Sequence, residues 1–202
     1  MDIWKYSSYD EYVKEQVAGN LQKYRTHSYV APSEIAKIVN YILSQDISPE
    51  FGLCHGTRRG NEQQYFKEYF KQADIDVRVI GTEISHTALE FPDTIQWDFN
   101  KVKDEWISNV DFIYSNSFDH SFDPEVTINA WMSCLKPGGL CFIQWTADNL
   151  RNRPMDPIAG TLKQWVEFFS QKYNVKSILN INVNERVTGE VERNIIILEN
   201  RL

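Results

Sequence analysis

Phe51-Gly52-Leu53-Cys54-His55-Gly56-Thr57-Arg58-Arg59-Gly60 is the stretch whose reading decides the fold. An apolar strand breaks into Gly-x-x-x-Gly, and residues 61–70 behind it have helical character, with Asn61 as the cap and Tyr65, Phe66, Tyr69 and Phe70 as the buried face. Glycine allows the bend and the close approach of a ligand, and a strand opening into a helix leaves backbone N–H groups free over the turn. The turn is therefore a candidate ligand cradle. Working outward, Val77-Arg78-Val79-Ile80-Gly81-Thr82-Glu83 is a short β-branched strand that ends in a carboxylate. In a doubly wound sheet, an acid at the end of the second strand is placed to accept from both hydroxyls of a ribose bound over the first turn. Glu83 is the first-choice ribose ligand, against the plainer role of a helix-start carboxylate.

The remaining elements follow in the same order. Thr94-Ile95-Gln96-Trp97-Asp98 reads as a third strand, again ending in a carboxylate. Val110-Asp111-Phe112-Ile113-Tyr114-Ser115 is a fourth, buried and rich in β formers, and Asn116-Ser117-Phe118-Asp119-His120 is the loop beyond it. Ligands of open α/β sheets sit outside the carboxyl ends of the strands where the strand order reverses, here between strands one and four. Asp119 and His120 thus lie where catalysis belongs. Pro124 opens a helix with Val126, Ala130 and Trp131 on one face, Lys136-Pro137-Gly138-Gly139 turns into a fifth strand over 140–145, and a final helix carries Leu162, Trp165, Val166 and Phe169. Residues 175–183 and 193–198 read as an antiparallel hairpin joined by the polar stretch 184–192. Two helices precede all of this. One places Tyr9, Tyr12, Val13, Gln16 and Val17 near helical spacing with Ser8 or Asp10 as cap; the other, opened by Pro32, repeats Ile35, Ile38, Val39 and Ile42. The predicted fold class is α/β: a doubly wound, mostly parallel seven-stranded sheet with a C-terminal antiparallel hairpin and N-terminal helices. One domain is expected over 1–202, with 1–48 as a helical cap and 49–202 as the core.

Residues 51–60, Gly81-Thr82-Glu83, Trp97-Asp98, residues 111–116 and Leu135-Lys136-Pro137-Gly138-Gly139 resemble the successive motifs of class I S-adenosylmethionine-dependent methyltransferases, whose core is Rossmann-like. The resemblance implies S-adenosylmethionine as cofactor and methyl transfer as activity. It implies a cofactor site built from His55, Gly56, Thr57, Arg58, Gly60 and Asn116, with Glu83 on the ribose, Asp98 on the adenine amino group and Phe99 on the ring. His55 is also read as a hydrogen-bonded core residue, and Asp98 as a helix cap. The N-terminal tyrosines either wall an acceptor pocket, as in that family, or simply pack. The first motif departs from the family pattern, since Cys54 stands at the acidic position and Arg58 at the middle glycine. One of Arg58 and Arg59 is a candidate for the methionine carboxylate. The same departure leaves a second reading open, a scaffold that binds the cofactor without transferring its methyl.

A sulfonium methyl is attacked in line, so the protein must align acceptor, methyl and sulfur and exclude water. A hydroxyl acceptor must also lose a proton, and His120 with Asp119 beside it has the type and place of that base. The acceptor is read as a small molecule or sugar-like compound methylated at oxygen. Arg151 and Arg153 stand in the aperiodic stretch 146–160, where they either meet an anionic acceptor or face solvent. A P-loop is absent and G-x-G-x-x-G is broken, which leaves an NAD-dependent oxidoreductase as a weaker alternative. Metal ligands at regular helical spacing are missing, so no metal is expected.

Composition narrows the partners. The chain has 202 residues, 21 basic against 28 acidic, for a net charge of −7, and no basic run of the kind that binds bulk nucleic acid. No apolar run is long enough to span a bilayer and the start lacks signal-peptide character, so the reading is cytoplasmic. Cys54, Cys134 and Cys141 are odd in number and lie in apolar contexts, as buried free thiols do. Nothing in the pattern sets an oligomeric state.

Overall fold

The computed structural model describes residues 1–25, 28–45, 47–181 and 192–200. Its main sheet has seven strands: β1 (Phe51–His55), β2 (Arg78–Glu83), β3 (Thr94–Gln96), β4 (Val110–Ser115), β5 (Leu135–Thr146), β6 (Asn174–Asn180) and β7 (Arg193–Glu199). They lie in the order β3-β2-β1-β4-β5-β7-β6. The first five are parallel, and β7 runs antiparallel to both β5 and β6. The expected closing pair is therefore present, with its second strand slotted inward beside β5. The polar connection 184–192 lies outside the described residues except for Glu192.

Five helices accompany the sheet among the described residues: α1 (Tyr9–Lys23), α2 (Pro32–Leu43), α3 (Asn61–Gln72), α4 (Pro124–Cys134) and α5 (Leu162–Ser170). On one face, Ile35, Ile38, Val39 and Ile42 of α2 and Phe66 and Phe70 of α3 pack on Val79, Phe112, Phe142 and Ile197. On the other, Ile128 and Trp131 of α4 and Trp165 and Phe169 of α5 pack on Leu53, Ile113, Ile143 and Ile196. Removing such apolar surface from water supplies the main driving force for this arrangement. Val126 of α4 is exposed, so the α4 core face is carried by its neighbours. Cys54, Cys134 and Cys141 are buried and unpaired, as their contexts predict.

Two local features set the strand edges. Gly52 in β1 pairs with Phe112 in β4, and a Cβ on Gly52 would come within 2.1 Å of the Phe112 ring, so the glycine makes room for the ring that covers it. Asp111 accepts from the Glu50 and Phe51 N–H groups at 2.8 Å each, and its other oxygen lies 2.9 Å from Lys136 Nζ. That carboxylate ties β1 to β4 and to the Lys-Pro-Gly-Gly turn. The turn is a bulge inside β5, since Val110 pairs with Leu135 and Phe112 with Leu140, so the fifth strand starts earlier than its apolar run suggests.

Of residues 1–48, α2 belongs to the helical layer on the sheet, while α1 lies across the strand ends. Ser8 caps α1 by accepting from Glu11 N–H, and the helix buries Tyr12, Gln16, Gly19 and Asn20. Asp2–Ile3 pairs with Ile158–Ala159, Trp4 N–H donates to Pro157 O at 2.7 Å, and the Tyr6 hydroxyl donates to Pro154 O. Residues 146–160 and the N-terminal segment thus form one roof. No helix among the described residues is long and apolar enough to cross a membrane.

Candidate active site

Two chambers open at the carboxyl ends of the parallel strands. The wide one, about 720 Å³, is walled by the turn after β1, the loop after β4 and residues from 146–156. The narrow one, about 50 Å³, lies between the ends of β2 and β3 and the buried face of α1. Gly56, Arg58, Ser117 and His120 border both.

The turn after β1 is built differently from the expectation. Gly56 and Thr57 both donate their N–H groups to Thr82 O, at 2.9 and 3.0 Å, and Gly60 N–H donates to Thr57 O. Arg58, at φ +47°, donates its N–H to Glu83 Oε2 at 3.1 Å. These N–H groups are consumed within the protein, so they are not free for a ligand. Gly56 is required by the turn itself: its φ is +74°, and a Cβ there would lie 2.6 Å from Ser117 Cβ. Gly60 is the left-handed cap of α3, so the cap sits one residue before the predicted Asn61, and Gly60 borders neither chamber.

Glu83 and Asp98 face the narrow chamber together with Phe99. Glu83 is buried and also accepts from Ser85 N–H at 3.0 Å. Burial pushes its carboxyl above the usual range, partly offset by the Ser85 N–H and the Arg58 guanidinium. Asn20 of α1 also lowers it, although Asn20 Nδ2 stops short of hydrogen-bond geometry with any partner. Asp98 accepts from Asn100 N–H at 3.0 Å, from Asn100 Nδ2 at 2.8 Å and from the Tyr9 hydroxyl, with Lys101 Nζ 3.4 Å away. Its capping of the following turn and its place on the chamber coexist. The N-terminal aromatics divide in role: Tyr6, Tyr9 and Tyr12 pack around Phe122, and Tyr12 also borders the narrow chamber, not the wide one.

In the wide chamber, Asn116 donates to Glu62 Oε1 at 3.2 Å, while Glu62 Oε2 has no hydrogen-bond partner among the described residues. Burial pushes Glu62 up to about 7 against the pull of its own N–H, Arg58 and Asn116. Asp119 accepts from Asn149 Nδ2 at 2.8 Å, and burial raises it to about 6. Gln16 Nε2 donates to Met155 O at 3.1 Å, which turns Gln16 Oε1 toward His120 Nδ1 at 2.9 Å. Nδ1 therefore carries a proton, which leaves Nε2 as the position that can exchange one. His120 Nε2 lies 3.5 Å from Asp156 Oδ1 and 3.9 Å from Asp119 Oδ1. One ligand atom each from Asp119, His120 and Asp156 falls within 4.8 Å of the others, a cluster that helical spacing could not reveal because Asp156 comes from the roof.

His55 is a correction. Its side chain borders neither chamber; Nδ1 lies 2.9 Å from Thr82 Oγ1, and the ring rests 4.8 Å from that of Trp131. Burial depresses its pKa to about 3, so it is a neutral core imidazole. Thr57, Arg58, Asn116, Asp119 and His120 do reach the wide chamber. Sequence reasoning missed Glu62, Ser117, Asn149 and Asp156 there, and Gln16 and Asn20 as functional groups of α1. The signal for the last two was their spacing with Tyr12 and Gly19 on one helical face.

A search of solved structures finds this architecture repeatedly. The Burkholderia thailandensis 1,6-didemethyltoxoflavin-N1-methyltransferase, solved with 1,6-didemethyltoxoflavin and S-adenosylhomocysteine, superposes with TM-score 0.71 at 13% identity, over 97% of this chain and 92% of that one. The fold is that of class I methyltransferases. The geranyl diphosphate C-methyltransferase from Streptomyces coelicolor A3(2), with Mg2+, geranyl diphosphate and S-adenosylhomocysteine, gives TM-score 0.58 at 11% identity over 82% and 78%. The [4+2]-cyclase SpnF gives 0.63 at 11% identity over 92% of each chain. No family model matches the sequence, and no curated protein matches it. The antiparallel β7 beside β5 also separates this sheet from the all-parallel one expected of a nicotinamide enzyme.

Proposed function

We propose that this protein is an S-adenosylmethionine-dependent methyltransferase acting on a small-molecule acceptor. The observation that carries the proposal is the pair of joined chambers: Glu83 and Asp98 face one, the broad polar cavity is the other, and His120 stands at their shared border. The residue types bordering the narrow chamber suit an adenosine, which needs more room than the about 50 Å³ there and so requires α1 to shift outward on binding. Gly56 lets Ser117 close the turn without a side chain in the way, Glu83 is a buried acceptor for ribose hydroxyls, and Phe99 supplies an aromatic wall. Asp98 already meets Asn100, Tyr9 and Lys101, so an adenine amino group would have to displace the exposed Lys101 or the Tyr9 hydroxyl. Arg58, on both chambers, suits the methionine carboxylate. When bound, the cofactor supplies an electrophilic methyl; the chain's part is to orient the acceptor and take its proton. Small-molecule ligands named for two structural neighbours support the acceptor class.

Those neighbours are named for nitrogen and carbon methylation, so transfer to oxygen rests on His120 alone. Its Nε2 would take the proton, with Asp119 and Asp156 close enough to stabilise an imidazolium. The charged lining gives a sugar no particular support.

A second reading, binding without transfer, is favoured by Cys54 and Arg58 in the first motif and by a neighbour named for cyclisation. Calorimetry with S-adenosylhomocysteine tests the cofactor, with Glu83→Ala expected to weaken binding by about tenfold or more. Absence of binding to the wild type would remove the proposal. S-adenosylhomocysteine formed from S-adenosylmethionine only when acceptor is present distinguishes transfer from binding.

A further inference from the structure

Arginine is the residue best suited to carboxylate and phosphate, because its planar fork donates two parallel hydrogen bonds and never loses its charge. Six cationic side chains and four carboxylates line the wide chamber, in a protein whose net charge is −7. The cations differ in what already holds them. Arg193 is paired with buried Glu34 at 2.7 Å, Arg153 with Asp156, and the Arg58 guanidinium lies 4.9 Å from the centre of the Tyr29 ring. Arg59 and Arg151 are different. Among the described residues neither guanidinium has a carboxylate partner or a hydrogen bond, and they reach the same chamber from separate segments, one from the turn after β1 and one from the roof.

Their placement separates them from the cofactor. Arg58 borders both chambers, whereas Arg59 and Arg151 border only the wide one. Two of the four carboxylates there are buried and have raised pKa values, Glu62 to about 7 and Asp119 to about 6, which weakens their compensation of nearby cations. We infer that Arg59 and Arg151 form an anion-binding subsite, and that the acceptor carries a carboxylate or phosphate group which they clamp while its nucleophilic atom faces His120. This rests on reading the wide chamber as the acceptor site.

The test uses phenyl phosphate and benzoate as charged probes and benzyl alcohol as the neutral one, titrated calorimetrically at fixed ionic strength. The proteins are the wild type, Arg59→Gln, Arg151→Gln and, as a control for lost charge, Lys163→Gln, whose side chain is exposed on α5. The wild type should prefer a charged probe by about tenfold or more, and each arginine variant should lose about tenfold of that affinity, because a charge-assisted pair is removed. The control should bind as the wild type does. Preference for phenyl phosphate assigns a phosphorylated acceptor, and preference for benzoate a carboxylated one. Equal binding of charged and neutral probes, undiminished binding in either arginine variant, or an equal loss in the control overturns the subsite. S-adenosylhomocysteine affinity is measured in parallel on all four proteins. Its absence in the wild type counts against the methyltransferase reading, while the arginine comparison still decides the anion site.

Discussion

Replacing Glu62 by glutamine should stabilise the protein at high pH and leave it nearly unchanged at low pH. The carboxyl is buried in the first turn of α3, with one oxygen on Asn116 and the other without a hydrogen-bond partner among the described residues. Burial moves its pKa from 4.5 to about 7, so folding favours the protonated form. That contribution is full below the unfolded value of 4.5 and is lost as pH rises through about 7. The displacement corresponds to roughly 3 kcal/mol, as an upper figure, between protonated and ionised Glu62. Glutamine has nearly the same shape and no charge to desolvate. Thermal unfolding at about pH 5 should therefore give similar Tm values, whereas at about pH 8.5 the variant should exceed the wild type by roughly 6–12 °C, at about 2–4 °C per kcal/mol for a chain of this size. Urea titrations at the same two pH values give the free energies directly. The comparison between variant and wild type cancels the other titrating groups, including His55, whose depressed pKa adds stability as pH rises from about 3 through 6.5. An equal Tm difference at both pH values would refute the reasoning.

Gly56→Ala places a Cβ 2.6 Å from Ser117 Cβ at a φ of +74°; urea unfolding should show a loss of about 1–3 kcal/mol, and a neutral result would contradict the turn geometry. His120→Gln should lower kcat by about 10²–10⁴ while S-adenosylhomocysteine affinity stays within about threefold; an unchanged kcat removes His120 as the base. Tyr9→Phe frees a lone pair on Asp98, so calorimetry should show tighter S-adenosylhomocysteine binding, and weaker binding would count against competition for that carboxylate. Asn149, Gln16 and Arg153 already engage Asp119, His120 and Asp156, so millimolar EDTA should leave turnover unchanged; a loss restored by magnesium would show that the cluster holds a metal.

Features set by neighbouring residues were readable before any coordinates. The apolar β-branched runs gave β2 and β4, Pro32 and Pro124 opened the helices they start, and the acids at the end of β2 and just beyond β3 arrived at one chamber. What escaped depends on residues distant in sequence. The N–H groups of the turn look free until Thr82 O and the Glu83 carboxylate come alongside them. Glu62 looks like an ordinary acidic residue at a helix start, and only Asn116 and the closed packing around it make it a buried acid. For His55 the core reading holds over the cofactor one, because Trp131, Phe99 and Trp106, all distant in sequence, lie around its ring. Asp156 joins His120 only because the roof folds back across α1.

That roof is stitched from two lengths of chain. Asp2–Ile3 is zipped to Ile158–Ala159, Trp4 and Tyr6 bond the backbone at Pro157 and Pro154, and Gln16 holds Met155 while orienting His120. With so many ties between them, the two lengths are expected to move together over both chambers. Hydrogen exchange along α1 and along residues 150–159 should then slow in step when S-adenosylhomocysteine is added. If the proposed transfer requires that roof to open, each opening would also take Gln16 away from His120.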